Sequence, residues 1–142
     1  MGNTKPIGVA YSDQDISGAD TLGAADIYAT DELGYASAAQ GTVTQQTSKS
    51  TAVTLNKSAG QITMNNAALG GTTNVAFTLN NSTISAKDVV LVNVAGGVAS
   101  NSTYNCWVSG HAAGTCDIVL RNISGGSLSE AVVLNFAIIH CT

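Results

Sequence analysis

The sequence predicts an all-β protein: a β-sandwich or jelly-roll-like body of about eight antiparallel strands over residues 41–142, preceded by an extended acidic arm over residues 1–40. Three observations carry this expectation. Beyond Gly41, apolar residues recur at every second position, the period of a strand with one buried face. Turn-forming pairs such as Ala59-Gly60, Gly70-Gly71, Gly96-Gly97 and Gly125-Gly126 punctuate these runs at short intervals. Finally, Ala, Thr, Gly, Ser and Asn supply more than half of the 142 residues, while charged residues supply 10%, against about 25% in a typical domain. Such a surface is built from hydroxyls and amides, and the length suits one domain.

The arm carries Lys5 against Asp13, Asp15, Asp20, Asp26, Asp31 and Glu32, whereas the body is close to neutral. It also holds the only proline, Pro6. Its larger apolar residues fit neither a sustained helical period nor a clean alternation. Asp20 could cap a short helical turn over residues 19–29. Alone, such a segment buries too little apolar surface to offset its ordering entropy. The arm is therefore expected to lie against a partner subunit, with Ile7, Val9, Tyr11, Ile16, Leu22 and Tyr28 as the contacting residues.

In the body, Val53 and Leu55 alternate with polar residues, as do Ile62 and Met64, and Val75, Phe77 and Leu79. Val89 to Val94 and Ala131 to Ile139 are nearly continuous apolar runs. These suit central strands covered on both faces, or strands at a subunit interface. Strands 104–108 and 115–120 flank a turn over Ser109 to Gly114. A symmetric turn would oppose Tyr104 with Ile118, Cys106 with Cys116, and Val108 with Gly114. Cross-strand cysteines can come close enough to bridge, so Cys106 and Cys116 are a candidate disulfide. The alternative is a pair of small buried thiols kept reduced. A short echo, Thr54-Leu55-Asn56-Lys57-Ser58 and Thr78-Leu79-Asn80-Asn81-Ser82, reads as two similar exits from strand to turn.

Chemistry-bearing motifs are few. Cys106, His111 and Cys116 are spaced more widely than the usual zinc pairs, and His111 is expected at the tip of the hairpin. No Ser lies in G-x-S-x-G, and neither His111 nor His140 has a recognisable triad context. The body offers Asp88, Asp117 and Glu130 as carboxylates, too few to suggest the paired acids of glycoside cleavage. Asp13-Gln14-Asp15 opens like a calcium loop, but Ala24 stands where that loop needs Glu, so solvated charges are the simpler reading. Asn80, Asn81, Asn101 and Asn122 begin N-x-S/T sequons, which this composition produces by chance. Tyr104, Trp107 and Phe136 could form a sugar platform, though core or interface packing is the commoner role of such residues. Five Lys and Arg cannot make a nucleic-acid footprint. No run reaches the length of a membrane helix. Met1 is followed by no apolar signal region, as expected of a whole gene product made in a cytoplasm. No enzyme activity, cofactor or metal is expected.

The stretches Gly41-Thr-Val-Thr-Gln-Gln-Thr-Ser-Lys-Ser-Thr-Ala-Val-Thr-Leu-Asn-Lys57, Gly60-Gln-Ile-Thr-Met64 and Gly126-Ser-Leu-Ser-Glu-Ala-Val-Val-Leu-Asn-Phe-Ala-Ile-Ile139 resemble segments of small structural proteins of tailed bacteriophages. The opening Pro6-Ile-Gly-Val-Ala-Tyr11 is similar to the start of some of them. The resemblance spans most of the chain, and the three cysteines fall outside its pattern. It implies a virion protein made in the host cytoplasm. Specifically, it implies a capsid decoration (cement) protein on the outer surface of the head, where it would bind the major capsid protein as a homotrimer and stabilise the shell. It carries no catalytic residues. The alternative is a receptor- or carbohydrate-binding module of a tail or fibre.

Overall fold

A computed structural model describes residues 26–141. The chain divides into two units, residues 1–33 and 34–142. The second holds eight strands: β1 (Gln40–Thr44), β2 (Val53–Thr54), β3 (Ala59–Thr63), β4 (Asn74–Asn80), β5 (Val89–Gly96), β6 (Tyr104–Ala112), β7 (Thr115–Asn122) and β8 (Val133–Ile139). A single 3-10 turn, Ser37–Ala39, precedes them. No helix among the described residues is long and apolar enough to cross a membrane.

The strands form two four-stranded sheets, in the orders β1-β3-β8-β5 and β2-β4-β7-β6. This is the expected sandwich. From β1 to β6 the chain changes sheet at every step, and only β6 and β7 follow one another within a sheet. That alternation explains a departure from an all-antiparallel arrangement. β1 pairs parallel to β3, and β2 parallel to β4, because the intervening strand in the opposite sheet serves as the crossover that parallel neighbours require. The other four pairings are antiparallel.

The period-two pattern sends Ile62, Leu134, Phe136 and Ile138 from one sheet, and Phe77, Leu79, Ile118 and Leu120 from the other, into a common core. Each is 3% exposed or less. Met64, Ile84 and Val132, from the connections, close its ends. Glycines on β1 and β3 make room for a core side chain. A Cβ at Gly60 would lie 2.9 Å from Leu55 Cδ2 and 2.6 Å from the Gly41 carbonyl. Leu55 thus seats against bare backbone where the two strands pair.

Two sequence expectations about strands need correction. The Val89–Val94 run is not central: β5 is an edge strand, and its alternate residues Val89 and Leu91 are 47% and 53% exposed. β8 is central within its sheet, but Ile139 is 53% exposed. Continuous apolar character therefore marks a strand with an apolar outer face, not one covered on both faces.

The hairpin register also differs. Tyr104 faces Asn122, Cys106 faces Leu120 and Val108 faces Ile118; after a bulge, His111 faces Cys116 and Ala112 faces Thr115. The turn is only Ala113-Gly114, and Gly114 takes the left-handed conformation (φ 82°) that favours glycine. Its carbonyl accepts from the Asn81 amide and its amide donates to the Ile84 carbonyl. That second contact anchors the short turn, where the symmetric turn would have been six residues long. His111 accordingly lies on β6 and not in the turn.

The two echo segments lie side by side. Val53 pairs with Leu79 and Thr54 with Asn80. Beyond the ladder, Ser82 donates its amide to Asn56 Oδ1 at 2.9 Å and Asn81 Nδ2 donates to the Lys57 carbonyl at 2.7 Å. They are paired exits that hold each other.

Candidate functional site

The outer face of the first sheet concentrates the exposed features. Its register sets side chains in rows across the strands. One row is polar: Thr42 beside Gln61, Gln61 beside Asn135, Asn135 beside Asn93. The next runs Gln40, Ala59, Ala137, Leu91, and the last pairs Ile139 with Val89. The face therefore grades from amides in its middle to an exposed aliphatic patch of Val89, Leu91 and Ile139 at the β5 end.

The chain entering β1 is strapped across part of this face. The Tyr35 hydroxyl donates to the Ile138 carbonyl, Gln40 Nε2 donates to the Tyr35 carbonyl at 2.6 Å, and Lys57 Nζ donates to the Ala38 carbonyl at 2.8 Å. Between strap and sheet lies a groove of about 560 Å³, lined chiefly by Tyr35, Gln40, Thr42, Gln61 and Asn135. Gln61 Nε2 donates to Asn135 Oδ1 at 3.1 Å. A smaller groove of about 200 Å³ is lined by residues of the β5–β6 connection.

Three polar clusters were not foreseen. The first centres on Asp88, which is 3% exposed. Its carboxylate accepts from the Ser85 amide (2.8 Å) and hydroxyl (2.7 Å), from His140 Nδ1 (2.9 Å) and from the Cys141 amide (3.0 Å). The Ser85 donors, with those of Cys141 and His140, hold its carboxyl well below the usual carboxylate range, against the opposing effect of burial. On its other side the His140 ring meets the Ser58 hydroxyl at 3.3 Å. Ser58, His140 and Asp88 thus stand in the order of a hydrolytic relay. However, Ser58 and His140 line neither of these two grooves. The cluster latches the C-terminal residues to the loop before β5.

The second cluster is the loop Gln45–Thr51. Gln45 Nε2 donates to the Lys49 and Thr51 carbonyls and Gln45 Oε1 accepts from the Asn65 amide. Lys49, 3% exposed, donates to the Asn65 and Glu130 carbonyls at 2.5 Å each. Burial lowers its pKa, opposed by the Glu130 carboxylate. Burial, reinforced by Glu130, pushes the Tyr104 hydroxyl up to about 12.

The third comprises two of the sequons. Asn81 and Asn122 are fully buried. In each, the side-chain oxygen accepts both the amide and the hydroxyl of the residue two positions on, Thr83 or Ser124. The N-x-S/T spacing here is that of a side-chain-closed turn.

The remaining expected site residues fall as follows. The pairing of Cys106 with Cys116 is not formed, and all three cysteines are free. Their ladder positions differ by four residues along the hairpin, about 13 Å at 3.3 Å per residue, too far for a bridge. Burial raises the pKa of both thiols, that of Cys116 to about 11. Tyr104 and Phe136 belong to the core, and Trp107 is half-buried opposite Val119 in the β6–β7 ladder, so the three do not gather as an exposed sugar platform. Ile7, Val9, Tyr11, Ile16 and Leu22 lie outside the described residues, as does most of the helical turn expected over residues 19–29; Tyr28 is exposed. Among the described residues, no three His, Cys, Asp or Glu side chains gather as a metal site. Comparison of the chain with protein families, with curated proteins and with solved structures finds no match in any of the three.

Proposed function

We propose that the protein is a non-enzymatic structural component of a virus particle, a decoration or cement protein. In this reading it binds the outer surface of a phage head as a trimer and contacts the major capsid protein through its arm and β-body. The observation that carries the reading is β5. It is an eight-residue edge strand, with an apolar outer flank that continues onto Ile139 of β8. Long, exposed, apolar edge strands are liabilities that folded proteins ordinarily blunt with charge, proline or a covering element. β5 has none of the first two. A protein partner on this edge removes the liability and gains binding energy.

Val89, Leu91 and Ile139 are each about half exposed. Covering what remains of them contributes about 1 kcal/mol apiece, about 3 kcal/mol together. That corresponds to roughly a hundredfold in affinity per copy. Within the segment that resembles phage structural proteins, Gln45 and Lys49 are buried and clamp their loop, as befits a rigid scaffold.

The test is to purify particles with and without the protein, count its copies against the major shell protein, and compare head stability. In parallel, Leu91→Asp is added back to stripped heads. Hundreds of copies at threefold positions, fragile heads without them, and failed add-back of a normally folded Leu91→Asp are expected. A few copies on the tail, with intact heads and lost adsorption to host cells, would overturn the reading.

A further inference from the structure

We infer that the strapped groove on the first sheet is a binding site for a neutral glycan. This goes beyond the structural role proposed above and does not depend on it. The argument rests on size, chemistry and position. At about 560 Å³ the groove lies within the range of about 300–1,000 Å³ that small-ligand sites occupy, room for a short oligosaccharide.

Its lining holds no charged residue: beside the side-chain amides of Gln40, Gln61 and Asn135, the Thr42 hydroxyl and the Tyr35 ring, it has only apolar or glycine positions, Phe136 among them. A carboxylate, phosphate or ammonium ligand would therefore enter without a counter-charge, at a desolvation cost nothing here repays. Amides and hydroxyls each donate and accept, as sugar hydroxyls do. Gln61 and Asn135 are locked to each other by one hydrogen bond. Among the described residues, Gln61 Oε1, Asn135 Nδ2 and the Thr42 hydroxyl have no protein partner, so acceptors and donors alternate along the row. Because the row sits on three paired strands, its spacing is fixed before a ligand arrives, which limits the ordering cost of binding.

Tyr35 supplies the apolar wall. Its hydroxyl is tied to the Ile138 carbonyl and its carbonyl to Gln40, so the ring is held over the groove, with an apolar body for a sugar's C–H face. The groove spans β1, β3 and β8, whereas the apolar patch lies towards β5, the opposite edge of the sheet. A copy docked along β5 keeps the groove on its other edge.

The experiment titrates the isotope-labelled full-length protein with four neutral probes, cellotetraose, maltotetraose, laminaritetraose and chitotetraose, and with tetragalacturonate as the charged control. Side-chain amide and backbone NMR signals are followed. At least one neutral probe should give saturable shifts centred on Gln61, Asn135 and Thr42, and the charged probe none. Gln61→Ala and Asn135→Ala, both at exposed positions, should each weaken the shifts by about tenfold or more, the equivalent of one good hydrogen bond, with unchanged melting temperature. Tyr35→Ala should do likewise. No saturable shift with any neutral probe overturns the inference. So do shifts centred elsewhere, preference for the charged probe, or binding indifferent to the groove substitutions.

Discussion

Asn122→Ala is expected to be the most damaging single-atom-group deletion on the second sheet's rim. Asn122 is completely buried at the end of β7. Its amide nitrogen donates to the Leu69 carbonyl at 3.0 Å and the Gly126 carbonyl at 2.8 Å. Its oxygen accepts from the Ser124 amide at 3.0 Å and hydroxyl at 2.7 Å. Alanine removes all four bonds; the Ser124 amide is left without a partner, while the Leu69 carbonyl keeps the Leu128 amide and the Gly126 carbonyl keeps the Ser124 hydroxyl. At about 1 kcal/mol net for each lost bond the cost is about 4 kcal/mol, a large share of a small domain's total stability. For a body of this size, that lowers the melting temperature by roughly 15 °C. The assay is guanidinium and thermal unfolding followed by Trp107 fluorescence and circular dichroism. The midpoint should move with the denaturant slope unchanged. Asn105→Ala, on the exposed face of β6, is the control and should change stability by less than about 0.5 kcal/mol. If Asn122→Ala cost less than about 1 kcal/mol, the buried sequon would not be the turn's fastening, and the reading of N-x-S/T as a structural motif here would fail.

Two further outcomes follow from the other clusters. Asp88 is held ionised in the fold by Ser85, Cys141 and His140, so its folded pKa lies below its unfolded value of about 3.9. Its contribution is then complete above that value and is lost as pH falls towards the folded pKa. Asp88→Asn should therefore melt below wild type at pH 7, and the gap should narrow in melts below about pH 4; a gap that is constant or widens in acid refutes the assignment. Thiol titration should find one fast-reacting cysteine in the native protein, the exposed Cys141, and three after unfolding without reductant. A single thiol after unfolding would mean that Cys106 and Cys116 are bridged, which their register forbids.

What the sequence revealed depended on the range of the interaction that decides each feature. Alternation at Val75, Phe77 and Leu79 is a local record of which face is buried, so strands and the sandwich were legible. Strand order is not recorded locally: nothing in Val89–Val94 says that β8 lies on one side of it and no strand on the other. The Cys106–Cys116 expectation failed through the turn. A bulge and a two-residue loop are specified partly by Asn81 and Ile84, about 30 residues upstream in the chain, and a symmetric-turn argument cannot see them. The groove was hidden for the same reason, since Thr42, Gln61 and Asn135 become neighbours only through two ladders. The sequons, by contrast, were legible and misread. Asn81-x-Thr83 and Asn122-x-Ser124 each sit directly after a run of alternating apolar residues, where a side-chain-closed turn ends a strand.

The scarcity of charge bears on how such a body can attach to anything. A nearly neutral surface gains little from electrostatic steering, so under the proposed structural role the docking energy must come from apolar area and backbone pairing. The patch of Val89, Leu91 and Ile139 contributes about 3 kcal/mol, short of the roughly 4 kcal/mol of even a millimolar complex. The patch alone would therefore not hold one body on a shell. Under that role two sources would make up the difference: the arm, whose apolar residues Ile7, Val9 and Tyr11 would add area on a partner, and linkage of copies, which would turn each later contact into an intramolecular one. Both multiply with the patch instead of replacing it. Under the proposed role, removing residues 1–33 should release the protein from heads as fully as Leu91→Asp does, as read by counting copies on sedimented particles.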